Sequence, residues 1–259
     1  MPWSVFPVVV TTDDTAFVAR AQEQADRLGL PWMAWEETAS RLVLRVAATG
    51  LELLQRTRGC NAAVRVDFST AIARARQQEG IKQSLARAVG IKSGIRPLVL
   101  DATPGLGRDA FVLAALGCQV IMVERSLVVH ALLADGLERA QKAGVPVCAR
   151  LSLIAGDARD YLTACHGPMA APEVIYLDPM HPERHKSALV KKEMRHLRLL
   201  VGDDPDAASL LPLARACARQ RVVVKRPKVA PPLADMAADQ VLAGHSTRYD
   251  LYFSHQSRS

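Results

Sequence analysis

The stretch Leu98-Val-Leu-Asp-Ala-Thr-Pro-Gly-Leu-Gly-Arg-Asp-Ala-Phe111 constrains the fold more than any other part of this chain. A short apolar run closes on an acidic residue, Asp101, passes through a turn holding Gly105 and Gly107, and opens at once into a helical pattern. A buried strand fed directly into a helix N-terminus is the opening unit of an α/β sheet. Glycine lets the backbone turn tightly and approach a ligand, and the helix start favours polar or anionic groups. Fourteen residues after Ala110 a second apolar run, Val120-Ile-Met-Val-Glu124, ends in another carboxylate, where an acidic side chain can grip the two hydroxyls of a ribose. Asp101, Gly105, Gly107 and Glu124 therefore outline an adenosine pocket. Two other readings use the same residues: a purely structural glycine turn, and a nicotinamide-dependent oxidoreductase, since Gly105, Gly107 and Ala110 also satisfy the dinucleotide fingerprint.

From Leu98 onward, short apolar segments alternate with longer amphipathic ones, which predicts βαβ units and a mostly parallel sheet. Strands are expected at Leu98–Asp101, Val120–Glu124, Leu151–Ala155, Val174–Asp178, Val222–Lys225 and Arg248–Phe253, with helices between them. The N-terminal part carries no phosphate-binding turn. It predicts a strand at Val8–Thr11, a helix capped by Asp13-Asp14-Thr15 that runs to about Leu28 and stops at Gly29 and Pro31, and a hairpin of Arg41–Val46 with Leu51–Gln55. A further strand is expected at Val64–Phe68 and a helix from about Gln83 to Val89. The turn-rich join through Gly90, Ser93-Gly94 and Pro97 marks a change of organisation. The expected architecture is a small α+β N-terminal domain, residues 1–79, and a Rossmann-like domain, residues 80–259.

With 259 residues, 49% of them hydrophobic, the chain can bury a large core and a smaller appended one. Apolar runs such as Phe111–Leu116 are far shorter than the roughly 20 residues of a membrane-spanning helix, so no membrane span is expected. The first ten residues lack a basic segment and a small-residue cleavage site, and read as leading into a first strand. Cys60, Cys118, Cys148, Cys165 and Cys217 form no C-x-x-C pair, which fits buried thiols in a reducing cytoplasm and gives no metal site. A formal net charge of +7 permits an anionic partner without requiring one.

The fourth strand of the second half, Val174-Ile-Tyr-Leu-Asp178, runs into Pro179-Met180-His181-Pro182. In an open α/β sheet this loop emerges beside the first glycine turn, so Asp178 is placed for chemistry; a plain Asp-Pro turn is the alternative. The segment His181–Arg198 carries Arg184, Lys186, Lys191, Lys192, Arg195 and Arg198 against Glu183 and Glu193, a net of +4 that suits RNA phosphates or, equally, a solvated helix face. Lys225-Arg226-Pro-Lys228 opens on the same sheet edge and is the second candidate RNA contact.

Asp101-Ala-Thr-Pro-Gly-Leu-Gly-Arg-Asp-Ala-Phe111, Val123-Glu-Arg125, Tyr176-Leu-Asp-Pro-Met180, Lys186-Ser-Ala-Leu-Val-Lys-Lys-Glu-Met-Arg195 and Arg221-Val-Val-Val-Lys-Arg-Pro227 together resemble the RsmJ (YhiQ) family, bacterial guanine-N2 methyltransferases of 16S ribosomal RNA. The resemblance spans about residues 80–253 and implies S-adenosylmethionine as methyl donor and the N2 amine of guanine-1516 as acceptor. It places cofactor contacts on Arg108, Asp109, Glu124, Arg125 and Asp178, and on Asp157 and Ala158, where a member of the family carries small hydroxyl residues instead. Related amino-group methyltransferases have Asp-Pro-Pro and an aromatic residue where this chain has Asp-Pro-Met-His. Asp178 and the Pro179 carbonyl become the expected acceptors for the guanine amine, with Met180 or His181 as candidates for stacking on the base. The implied partner is 16S ribosomal RNA or the small ribosomal subunit, with no metal. A non-enzymatic RNA-binding protein on the same fold is the alternative from another functional class.

Overall fold

A computed structural model describes residues 8–57, 60–68, 84–165, 171–180, 197–202, 207–244 and 247–254. The chain divides into two compact units. One contains Met1–Asp67, Ser126–Ala143 and Pro182–Asp203; the other contains Phe68–Arg125, Gly144–His181 and Asp204–Ser259. The expected boundary between residues 79 and 80 lies outside the described residues.

The first unit is built on a four-stranded sheet of β1 (Val8–Thr11), β2 (Leu42–Ala47), β3 (Gly50–Thr57) and β4 (Cys60–Val64), in that order. β1 runs parallel to β2, and the other neighbours are antiparallel. Helix α1 (Val18–Leu28) follows a short 3-10 turn capped by the Asp14 carboxylate, which accepts from the Ala16 N–H at 2.9 Å. It ends at Gly29, whose φ of 62° places it in the left-handed region where glycine is favoured. Val9, Val43 and Leu54 are buried together under Met33 and Trp35. The predicted strand at Val64–Phe68 is corrected: pairing with β3 ends at Val64. Val64, Val66 and Phe68 are indeed buried, alternating with more open Arg65 and Asp67, so the period of two reports an extended segment without a ladder partner.

α4 (Leu127–Lys142) belongs to this first unit, although it lies far along the chain, and packs on β3. Its buried Asp135 accepts from the Leu51 N–H at 3.1 Å and from Arg139 Nε at 2.8 Å, while Arg139 Nη2 donates to the Val66 carbonyl at 2.6 Å. A carboxylate in such a place is tolerated because its oxygens are paired.

The second unit carries a seven-stranded sheet in the order β10-β11-β9-β8-β5-β6-β7. Its strands are β5 (Val99–Asp101), β6 (Val120–Glu124), β7 (Leu151–Ala155), β8 (Val174–Leu177), β9 (Arg221–Pro227), β10 (Gln240–Ala243) and β11 (Thr247–Phe253). β5 to β9 are mutually parallel, and β11 returns antiparallel to β9. The chain leaves β5 toward β6 and β7, then comes back to β8 on the other side of β5. The sheet therefore reverses direction between β5 and β8, where open α/β sheets bind ligands at the strands' carboxyl ends. Among the described residues, helices α2 (Ser84–Val89), α3 (Arg108–Ala115), α5 (Ala158–Ala164) and α6 (Ala207–Cys217) accompany the sheet.

Leu100, Ile175, Leu177, Val222 and Val224 form the sheet side of one core cluster, and Leu162, Leu211 and Ala214 of α5 and α6 cover it. Each fully buried aliphatic side chain stabilises the fold by about 1.5–3 kcal/mol relative to exposure, which is why these short strands read as unbroken apolar runs. β10 was not predicted: its pattern is mostly exposed, leaving no apolar period to detect.

Gly136, inside α4, tests the first unit's packing. An added Cβ would lie 2.4 Å from Val66 Cγ1, 2.8 Å from its Cβ and 3.1 Å from its carbonyl oxygen. Glycine to alanine in a helix ordinarily stabilises by up to about 1 kcal/mol, but here the clash wins. Gly136→Ala is expected to destabilise by roughly 1–3 kcal/mol, read as a lower midpoint in chemical denaturation; an unchanged or higher midpoint contradicts this packing.

Candidate active site at the carboxyl edge of the sheet

Asp101 ends β5 almost fully buried, at 1% exposure, and accepts from the Thr103 N–H at 3.1 Å. Burial pushes its carboxyl well above the usual range; the Thr103 hydrogen bond opposes this, and the negative charges of Asp109 and Asp178 add to it. Thr103 also accepts through Oγ1 from the Asp178 N–H at 2.6 Å, and the Ala102 N–H donates to the Tyr176 carbonyl at 3.1 Å. The loops after β5 and β8 are thereby pinned to each other. Thr103 went unnoticed in the sequence, where it is only the residue before a proline.

The glycine turn behaves as expected. Gly105 and Gly107 have φ of 52° and 69°, and a Cβ added at Gly105 would meet nothing within 4 Å, so the turn faces open space. Gly107 is the N-cap of α3 and has no side chain with which to satisfy the helix's first N–H groups. Arg108 is exposed and Asp109 half-buried in that first turn.

Asp109 and Asp178 meet at one cation. Lys225 Nζ donates to Asp109 Oδ2 at 2.7 Å and to Asp178 Oδ2 at 2.9 Å, and the Tyr176 hydroxyl donates to the same Asp109 oxygen at 2.7 Å. The sheet register causes this. Leu177 of β8 stands opposite Val224 of β9, so the next residues along each strand are level. Burial opposes the ammonium's charge, but Asp178 and Asp109 outweigh it and hold Lys225 above its ordinary range. For Asp178, burial pushes the carboxyl up, Lys225 pulls it down and Asp109 pushes it up again, the net result lying above the usual range. Its side chain nevertheless keeps 38% exposure, so one face stays open to a reactant. Pro179 is buried and Met180 half-buried behind it.

Glu124 ends β6 at 8% exposure, and its carbonyl accepts from the Gly156 N–H at 3.0 Å, tying the β6 and β7 ends together. Asp157 caps α5 and accepts from the Arg159 backbone N–H, Nε and Nη2 at 2.8, 3.0 and 2.6 Å. Those bonds, with help from nearby Arg125, hold its carboxyl below the usual range. Ala158 is buried as the first residue of α5.

The two cations expected to meet RNA from β9 are instead used inside the protein. Lys225 serves the two carboxylates, and Arg226, 5% exposed, donates Nε and Nη2 to the Pro231 carbonyl at 3.2 and 2.9 Å. The sequence could not distinguish a strand-end cation aimed at phosphate from one aimed at a carboxylate more than a hundred residues away. Lys186, Lys191, Lys192, Arg195 and His181 lie outside the described residues. Among the described residues no cluster of three or more His, Cys, Asp or Glu could hold a metal, and no helix is long and apolar enough to cross a membrane.

The chain is similar to known proteins over nearly its whole length. The family model described as "Putative SAM-dependent methyltransferase" matches residues 24–254. Ribosomal RNA small subunit methyltransferase J of Pseudomonas aeruginosa (strain LESB58) is 50% identical over 236 residues, covering 90% of this chain and 89% of the relative. The protein of the same name from Thioalkalivibrio sulfidiphilus is 50% identical over 237 residues, covering 90% and 92%. A crystal structure of a SAM-dependent methyltransferase from Neisseria gonorrhoeae superimposes with a TM-score of 0.74 at 34% identity, covering 96% of each chain.

Removing the shared cation tests the electrostatics. Lys225→Met removes the ammonium that bonds both Asp109 and Asp178, and the partly open position tempers the cost to roughly 1–3 kcal/mol. Asp178, already above its usual range, loses in the variant the charge that opposed its protonation, so the folded state holds that proton more readily and the loss shrinks as pH falls. Urea denaturation at about pH 8 and about pH 5 should give the larger deficit at the higher pH; an equal deficit at both contradicts the assignment.

Proposed function

The chain belongs to the ribosomal RNA small subunit methyltransferase J family, and from that membership we propose that it moves a methyl group from S-adenosylmethionine to the N2 amine of a guanine in small-subunit ribosomal RNA. Guanine-1516 of 16S RNA is the position the sequence resemblance implies. The observation that carries the reading is the half-open Asp178 carboxylate, held by Lys225 beside the glycine turn and the N-terminus of α3.

The strand ends fit the donor. The open space at Gly105 admits it, and the carboxylate of Glu124 at the end of β6 suits its ribose hydroxyls. Asp101 and Asp109, beside the turn, suit its amino-acid tail. Asp157 is the acceptor for the adenine amine and Ala158 lines the ring, with Arg108 and Arg125 at the rim. S-adenosylmethionine supplies a methyl group activated by its sulfonium.

The protein's own task is to prepare a poor nucleophile. A guanine amine lends its lone pair to the ring, and hydrogen bonds from its two protons to Asp178 and to the Pro179 carbonyl turn that pair toward the methyl carbon. Lys225 binds Asp178 through Oδ2, which leaves Oδ1 for the amine. By opposing the upward push of burial, the same ammonium favours the ionised acceptor near neutral pH. In-line attack needs the amine about 3–3.5 Å from the methyl carbon, so holding the two reactants supplies much of the rate. Asp178 or water takes the released proton. Lys186, Lys191, Lys192 and Arg195 provide the phosphate contacts, and the target base leaves its stack to reach the pocket. A ribosomal substrate implies work in the cytoplasm.

Labelled S-adenosylmethionine and undermethylated small subunits test this directly. Mass spectrometry should find the label as N2-methylguanine; no transfer, or a methyl on another atom, contradicts the reading. Asp178→Ala should lower the single-turnover rate by about tenfold or more while S-adenosylmethionine binding remains measurable, and an unchanged rate removes Asp178 from the mechanism. Reversing Lys191 and Lys192 to Glu should weaken RNA binding, most visibly at low salt, without lowering the unfolding midpoint; unaltered affinity refutes the basic segment's role.

A further inference from the structure

β9 does not stop at the carboxylates. Lys225 is level with Asp178, and each further residue of an extended strand advances about 3.3 Å, so the loop beyond Pro227 projects past the sheet edge where the reaction is proposed. The loop is a tight turn, with the Ala230 N–H donating to the Pro227 carbonyl at 3.0 Å. Arg248 of β11 donates Nη1 to three of its carbonyls, Pro227 at 3.4 Å, Lys228 at 2.9 Å and Ala230 at 2.6 Å. The same guanidinium is clasped by buried Asp250 at 2.7 and 3.0 Å. Arg226 holds the next carbonyl, that of Pro231, from within. Prolines at 227, 231 and 232 fix φ at three positions, which leaves little backbone freedom to lose on binding.

Two little-exposed arginines thus hold four carbonyls of a five-residue loop, and the side chains turned outward at its tip are Lys228 and Val229. Val229 is 94% exposed; the next most exposed large hydrophobic residue among those described, Leu127, reaches 54%. An isolated surface valine is ordinary. Here, though, the apolar tip is built on a rigid internal scaffold, beside a cation, at the edge where a base must be drawn from its stack.

We infer that this loop is a preformed wedge for RNA: Val229 enters the base stack where the target guanine leaves it, and Lys228 meets a neighbouring phosphate. The inference rests on the functional reading above. Unstacking a base costs a few kcal/mol, and an apolar side chain that fills the gap offsets part of that cost. A held loop does so without first having to order itself.

The test uses single-turnover methyl transfer to two short RNAs. One carries the target guanine in a stacked stem; the other has abasic sites flanking it, so that it is already unstacked. Val229→Ala should slow transfer to the stacked target by about fivefold or more, leave the unstacked target within about twofold of wild type and leave S-adenosylmethionine affinity unchanged; Val229→Leu should keep the wild-type rate. Because the side chain is almost wholly in solvent, neither substitution touches the core. Equal rates for Val229→Ala and wild type on the stacked target, or equal slowing on both RNAs, overturn the wedge while the functional reading stands. Wild-type protein that transfers no methyl to either RNA or to undermethylated small subunits overturns that reading and the wedge with it.

Discussion

One ammonium group organises the edge of the larger sheet. Lys225 bonds Asp109 from the glycine turn's helix and Asp178 from the end of β8, while Tyr176 adds its hydroxyl to Asp109. Without that charge, two carboxylates would be crowded together in a partly dry site, and one or both would take up a proton. With it, the carboxylate proposed to face the cofactor and the proposed reacting carboxylate are held in register. The arrangement depends on parallel pairing between β8 and β9, and so on the apolar strands and helices that bury Ile175, Leu177, Val222 and Val224.

Much of this was legible in the sequence, for a physical reason. β5, β6, β8 and the Val222–Val224 part of β9 are buried, so each appears as an uninterrupted apolar run, and the acidic residues that close three of those segments stand at the sheet edge. Gly105 and Gly107 announced their turn because left-handed backbone leaves few alternatives to glycine. The membership in a methyltransferase family then decides between a methyl donor and a nicotinamide for the same glycine turn.

What stayed hidden was tertiary. Lys225 and Arg226 look like RNA contacts in a basic chain, and only their partners, Asp109, Asp178 and the Pro231 carbonyl, reveal other duties. Likewise α4 has the periodicity of any sheet-covering helix, and nothing local signals that Asp135 and Arg139 tie it to Leu51 and Val66 of the first unit. The exposed strand β10 lacked an apolar pattern, whereas Val64–Phe68 had one although its ladder pairing stops at Val64. Alternation reports which side chains are buried, not which backbones are bonded.

Under the proposed function, Lys225 keeps Asp178 ionised as the acceptor for the target amine. Among the described residues, the groups charged toward Asp178 are Lys225 and Arg226 of β9, Asp109 of α3 and Asp101 of β5. The direct measurement is the pH dependence of single-turnover methyl transfer by wild type and by Lys225→Met, with S-adenosylmethionine saturating. The acid limb of the profile is expected to move to higher pH in the variant, because the carboxylate has lost the charge that opposed its protonation. An acid limb at the same pH in both proteins would contradict it.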